Sequence, residues 1–274
     1  MNDIYEDILK LKTSGGSGVL ITVVEKEGHG PAAVGTKMLV MADGSRKGTV
    51  GGGALEYTAV KRAETVQQEG KGGLIKYLLS PDNQVVEGED IEKTGMVCGG
   101  STTLFYEAVG SGAKLFLLGA GHVGQALAYH LRHLNYYITA IDSRNGLVEQ
   151  MEGVQRRFTV GNYEQALDQC DVPQGSFFIV ATHSHALDYM VLKKLYETNL
   201  SPKYIGLIAS IKKAPLMKKR LQEELGPALD FSALYSPMGL HIGGTLPHEI
   251  AISVIAELQA VRYSKTGHVH MKNR

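Results

Sequence analysis

The sequence predicts an α/β protein, with a C-terminal Rossmann-like, doubly wound parallel sheet joined to a smaller N-terminal α+β domain. Three observations carry that reading. From residue 114 onward four near-continuous apolar runs, KLFLLGA, YITAID, SFFIVAT and YIGLIAS, alternate with helical patterns, as strands covered on both faces should. The first run leads directly into Gly119, Gly121 and Gly124 at G-x-G-x-x-G spacing. Before residue 110 the texture differs, with β-branched stretches, a hairpin signal and clustered glycines.

Taken in order, residues 3–12 place Ile4, Ile8 and Leu11 at helical spacing, which predicts a short amphipathic helix. GVLITVVEKEG (18–28) is a β-branched run closed by glycine and reads as a strand. KMLVMADGSRKGTV (37–50) reads as two strands joined around Asp43-Gly44. ALEYTAVKRAETVQQEG (54–70) reads as a helix stopped by Gly70. GGLIKYLLS and CGGSTTLFYEAV read as strands flanking PDNQVVEGEDIEKTG, whose polarity predicts an exposed loop. GSGA at 110–113 is the natural boundary, dividing the chain into domains 1–110 and 111–274. Beyond it, HVGQALAYHLRHL sets Val123, Leu127, Leu131 and Leu134 on one helical face. Near the end, Pro247 and Glu249 mark a helix start, and Ile250, Val254, Leu258 and Val261 form its apolar face.

Composition narrows the function. The 274 residues carry 28 basic and 28 acidic side chains, a balance that argues against a nucleic-acid binder. Two cysteines, Cys98 and Cys170, suit a reducing cytoplasm and leave no disulfide framework. The N-terminus has no apolar signal core, and no run reaches the roughly 18 apolar residues of a membrane span. A cytoplasmic protein with no membrane span is expected.

The glycine motif sits in the context a dinucleotide fingerprint requires. It follows an expected strand, opens an expected helix, and is trailed by Asp142 at the end of the next strand. Gly119 would make the turn, Gly121 would admit a pyrophosphate, and Gly124 would let the helix pack on the strand. Amides at the helix start would hold the phosphates, with His122 beside them as a contact or a plain loop residue. Asp142 would accept hydrogen bonds from a ribose diol, favouring unphosphorylated ribose. ATHSHALDYM places His183 and His185 after the third strand of this domain, at the sheet edge where such folds bind ligands. They are the candidate acid/base pair of an NAD-dependent oxidoreductase. With no clear third ligand they do not make a metal site.

TVGGGALE, VCGG, LFLLGAGHVGQAL, ATHSHALD, KYIGLIASIKK and SPMGLHIGGTLPHEIAISVIAEL together resemble the XdhC/CoxI family, the xanthine dehydrogenase accessory factors. The resemblance covers residues ~14–107 and ~114–262. It implies a factor that binds molybdenum cofactor (molybdopterin) and assists its maturation or insertion into a molybdenum hydroxylase. Its partners would be that client enzyme and a cofactor sulfurase, and homodimers are common in the family. The resemblance implies that Gly51, Gly52 and Gly53 form a phosphate- or pterin-accepting turn, with Thr49 adding a hydroxyl and Glu56 on the first helical turn. Gly99 and Gly100 would form a second such turn, and Gly243 and Gly244 a ligand-lining loop. Cys98 is either a reactive thiolate among exposed amides or a small strand residue. Cys170 reads as filler, and Lys212 and Lys213 as an anion contact or a solvated helix start. The chain departs from the family pattern in GHGPAAVG, which lacks a Ser/Thr and an arginine, in Ala209 for glycine, and in His241 for aspartate. An NAD-linked oxidoreductase remains the competing reading.

Overall fold

A computed structural model describes residues 3–29, 32–79, 91–93, 99–198, 200–208 and 213–265. It divides into two compact units, Met1–Gly112 and Ala113–Arg274.

The first unit contains α1 (Ile4–Ser14), β1 (Ser17–Gly28), β2 (Lys37–Met41), β3 (Arg46–Gly48), α2 (Gly53–Glu69), β4 (Gly73–Leu78), β5 (Ile91–Lys93) and β6 (Gly100–Gly110). Its sheet runs β3-β2-β1-β6-β4-β5. All neighbours are antiparallel except β4 and β5. Alternation along β1 turns Val19, Ile21 and Val23 inward, where they pack with Leu55, Ala59, Ala63 and Val66 of α2. The β2–β3 turn is fixed by Asp43, whose Oδ1 accepts from the amide and hydroxyl of Ser45. Gly70 ends α2 with φ 67°, its amide donating to the Val66 carbonyl.

Two expectations change here. The apolar stripe of α1 is only half-buried, and the buried residue of the helix is Asp7, 2.6 Å from Lys47 Nζ. That bond holds the Asp7 carboxyl below its ordinary range. Within the expected loop, Ile91–Lys93 forms a strand, β5, parallel to β4. The partner, not the composition of the segment, makes it a strand. The rest of that loop lies outside the described residues, as do Cys98, Ala209 and Lys212.

The second unit contains β7 (Ala113–Leu118), α3 (His122–Leu131), β8 (Tyr136–Asp142), β9 (Arg156–Thr159), α4 (Tyr163–Gln169), β10 (Phe177–Val180), α5 (His185–Glu197), β11 (Tyr204–Leu207), α6 (Lys213–Leu225), β12 (Leu234–Tyr235) and α7 (Pro247–Arg262). The sheet order is β12-β11-β10-β7-β8-β9, and every pair is parallel. This is a doubly wound Rossmann sheet. The order reverses between β7 and β10, and ligands bind beyond the carboxyl ends of strands at such a switch.

Successive residues of the central strands feed opposite faces. Leu115, Leu117, Ile138, Ala140 and Ile179 pack under α3 and α7, with Leu127, Leu131, Val254 and Leu258. Phe116, Leu118, Ile141, Phe178 and Val180 pack under α4 and α5, with Tyr163, Tyr189 and Leu192. Among the described residues no helix is long and apolar enough to cross a membrane.

Candidate functional site

The three fingerprint glycines are not equivalent. Gly119 has φ 123°, and a Cβ there would run into the carbonyl oxygen of Ala181. A Cβ on Gly124 would strike the carbonyl of Gly119, so this glycine lets α3 sit on the strand end. Gly121 has an ordinary extended backbone, φ −71° and ψ −173°. The nearest atom to a Cβ at that position is Arg144 Nη2, 3.7 Å away. The fold therefore demands glycine at 119 and 124 but not at 121, where a Cβ would meet only Arg144 Nη2. Among the described residues no side chain caps the start of α3 at Gly121, and His122, its first residue, is exposed.

Asp142 stands at the end of β8 as expected, but it is fully buried. Its Oδ2 accepts from the Ala120 amide at 2.6 Å and from Arg144 Nη2 at 2.8 Å. Its Oδ1 accepts from the Arg144 amide at 2.9 Å and Arg144 Nε at 3.0 Å. The expected contact with a ribose diol therefore does not fit, because the carboxylate is out of reach and its lone pairs are engaged. Burial pushes this carboxyl up; the Arg144 side chain and the two amides outweigh it and hold it below its ordinary range. Arg144 escaped the motif reading, although its place two residues after the acid in IDSR was the available signal.

The segment after β10 lies beside the glycine loop, since Ala181 donates to the Leu118 carbonyl at 2.8 Å and closes over Gly119. His183 and His185 are both exposed there. Buried Asp188 organises the segment, accepting from the Thr182 amide at 2.9 Å and its hydroxyl at 2.6 Å. Burial raises the Asp188 carboxyl, against the Thr182 bonds and the nearby His185 and His183. His185 Nδ1 is 3.8 Å from Asp188 Oδ2, beyond a hydrogen bond. Ser184 caps α5 through the Leu187 amide.

In the first unit, Gly51, Gly52 and Gly53 have φ of 122°, 74° and 60°. This backbone requires glycine whether or not anything binds. The Gly51 amide donates to Thr49 Oγ1 at 3.1 Å, and the Gly52 amide to Glu56 Oε2 at 3.2 Å. The Thr49 hydroxyl in turn donates to Glu56 Oε2 at 2.6 Å. The side chains named from the sequence thus meet, and they cap the turn themselves. Gly53 and Ala54 remain exposed beyond them, and a Cβ on Gly52 would meet nothing within 4 Å.

Gly99 is exposed, and a Cβ on it would meet nothing within 4 Å, but backbone bonds tie it and Gly100 into the sheet. The Gly99 amide donates to Leu79, its carbonyl accepts from His29, and the Gly100 carbonyl accepts from Leu79. A Cβ on Gly100 would strike the Glu27 carbonyl. These glycines stitch β1, β4 and β6 together. In the second unit, Gly243 and Gly244 have φ of 89° and 93°. They precede Thr245 and Leu246, whose amides donate to Glu249 Oε2 at 2.8 and 2.9 Å.

The XdhC Rossmann domain family matches residues 115–258, and the XdhC and CoxI family matches residues 11–78. The chain belongs to the XdhC/CoxI family. Escherichia coli (strain K12) YqeB, described as an uncharacterized protein, is 29% identical over 272 residues, 98% of this chain and 48% of YqeB. A Bacillus subtilis (strain 168) protein described as a probable xanthine dehydrogenase component is 30% identical over 167 residues, 59% of this chain and 47% of that protein. This XdhC/CoxI chain thus spans about half the length of these curated relatives. A solved Bacillus halodurans structure described as a xanthine dehydrogenase aligns over 98% of both chains, with a TM-score of 0.49 and 20% identity.

Proposed function

We propose that this XdhC/CoxI chain is an accessory factor for a xanthine dehydrogenase-type molybdenum hydroxylase, binding molybdenum cofactor and assisting its maturation or insertion. The observation that carries this reading is membership of the family through a match to residues 115–258. Molybdopterin presents a pterin edge, a dithiolene and a phosphate, so its holder needs donors, an acceptor and close main-chain approach. The turn at Gly51–Gly53 fits that requirement. Beyond its self-capped amides it exposes Gly53 and Ala54, has open space above Gly52, and carries the Glu56 carboxylate. Thr49 holds Glu56 through Oε2, so that Glu56 Oε1, outside the cap, would meet the pterin edge and the amides at the start of α2 would meet the phosphate. Cys98 is the candidate for contact with sulfur or metal. The molybdenum chemistry belongs to the client; this chain binds, orients and releases.

In the Rossmann unit, Gly121, His122 and the amides opening α3 receive the phosphate of a nucleotide. Gly243 and Gly244 line a loop of the same unit. A client hydroxylase and a cofactor sulfurase are the expected partners, in a cytoplasmic, homodimeric setting. A second reading has its own observation: His183 and His185 are exposed beside the glycine loop. This is the place for acid/base work in an NAD(P)-linked oxidoreductase.

The test is to purify the full chain from a host that makes molybdenum cofactor, oxidise the extract and measure pterin fluorescence. Stoichiometric pterin, lost in a Gly52→Arg variant of unchanged thermal stability relative to Gly52→Ala, is expected. Released nucleotide without pterin, together with hydride transfer that His183→Ala or His185→Ala abolishes, would replace this reading with the second.

A further inference from the structure

The group at the ribose end of the Rossmann crevice is a guanidinium, not a carboxylate. In dinucleotide-binding sheets, an acid at the end of the second strand binds the ribose hydroxyls, while an arginine nearby accommodates a 2′-phosphate. Here β8 is that second strand and Asp142 is that acid. It has no exposed surface, and four hydrogen bonds from Ala120 and Arg144 use both its oxygens. A ribose diol has no acceptor to reach on Asp142. The Arg144 side chain keeps 39% of its surface exposed. It commits Nε and Nη2 to Asp142, which leaves Nη1 and one Nη2 proton as donors directed away from the carboxylate. Nη2 also faces the space above Gly121 that the fold does not fill. Asp142 thus acts as a buried counter-charge that fixes the guanidinium plane at the mouth of the crevice, and a guanidinium so held is suited to bidentate contact with a phosphate.

We propose that Arg144 makes this crevice selective for a nucleotide whose adenosine ribose carries a phosphate, an NADP-type dinucleotide in preference to an NAD-type one. This rests on the nucleotide part of the reading above and reverses the selectivity that Asp142 alone implies in the sequence. Arg144 is here a specificity-determining residue, with Asp142 as its positioning residue.

The experiment is calorimetric titration of the full chain with NADP+ and with NAD+, repeated for Arg144→Lys and Arg144→Gln after thermal melting confirms their folding. The wild type should bind NADP+ about tenfold or more tighter than NAD+, the range of one charge-assisted contact. Arg144→Gln should bring the two affinities together by weakening NADP+ alone, and Arg144→Lys should keep part of the difference. Equal or tighter binding of NAD+ by the wild type overturns the proposal, and needs no variant to do so. Failure of both nucleotides to bind overturns it too, together with the nucleotide part of the functional reading. The pterin measurement is independent of either result, so cofactor handling can fail or stand separately.

Discussion

Two helices of this molecule begin just after a glycine cluster, and they use the glycines in opposite ways. At α2 the backbone itself needs glycine, with positive φ at three successive residues, while Thr49 and Glu56 answer the first free amides. At α3 the needs are divided. Gly119 and Gly124 serve close approaches within the chain, whereas Gly121 has a conformation open to any residue and no side chain caps the helix. A run of glycines therefore signals a turn, and only the atoms around each one separate the amides that the chain caps for itself from those it leaves open.

The largest effect expected from breaking this contrast is at Gly119. Gly119→Ala combines a positive φ, costing about 1–3 kcal/mol, with a Cβ driven into the Ala181 carbonyl, about 1–3 kcal/mol of overpacking. A loss of several kcal/mol in denaturant unfolding is expected. Gly121→Ala should leave that curve within about 0.5 kcal/mol, the ordinary range for an unstrained surface change, while weakening nucleotide binding at least tenfold in calorimetry. Equal losses of stability at 119 and 121 would erase the distinction between them.

The α2 turn should respond more mildly. Gly52→Ala meets no neighbouring atom, so its cost is the positive-φ backbone alone, about 1–3 kcal/mol. Glu56→Ala removes the acceptor for both Thr49 and the Gly52 amide; loss of such a cap costs about 1 kcal/mol. Chemical denaturation of the two variants measures both. A Glu56→Ala chain as stable as its parent would mean that the carboxylate serves a ligand rather than the turn.

The parallel sheet was legible because its strands are buried on both faces, so that each is an uninterrupted apolar run that no helix period fits. β9 was not, because RRFT is an edge strand. Its Arg157 is placed by the Val148 and Met151 carbonyls of the preceding turn, partners that no strand or helix period announces. At the site, the spacing of Gly119, Gly121, Gly124 and Asp142 was visible, and so were Thr49 and Glu56 as side chains of the α2 turn, though not their contact. The burial of Asp142 was not, because it depends on the glycine loop folding back to present the Ala120 amide. The sheet contacts of Gly99 and Gly100 were hidden for a related reason: composition shows that glycines are present but not which strand lies against them.

A third glycine-led helix gives the comparison its finest test, and the smallest effect. Glu249 caps α7 as Glu56 caps α2, accepting from Thr245 and Leu246. The Leu246 and Thr245 amides hold its carboxyl below the ordinary 4.5. A carboxyl lowered on folding adds stability that is present above its unfolded value and is lost as pH falls through the folded one. Glu249→Gln keeps an acceptor oxygen but no charge, so the variant should be slightly less stable near neutral pH and converge with the parent in acid below 4.5. Paired urea titrations across that range measure the difference. A gap that stays constant with pH would show that the Thr245 and Leu246 amides need only an oxygen at the start of α7.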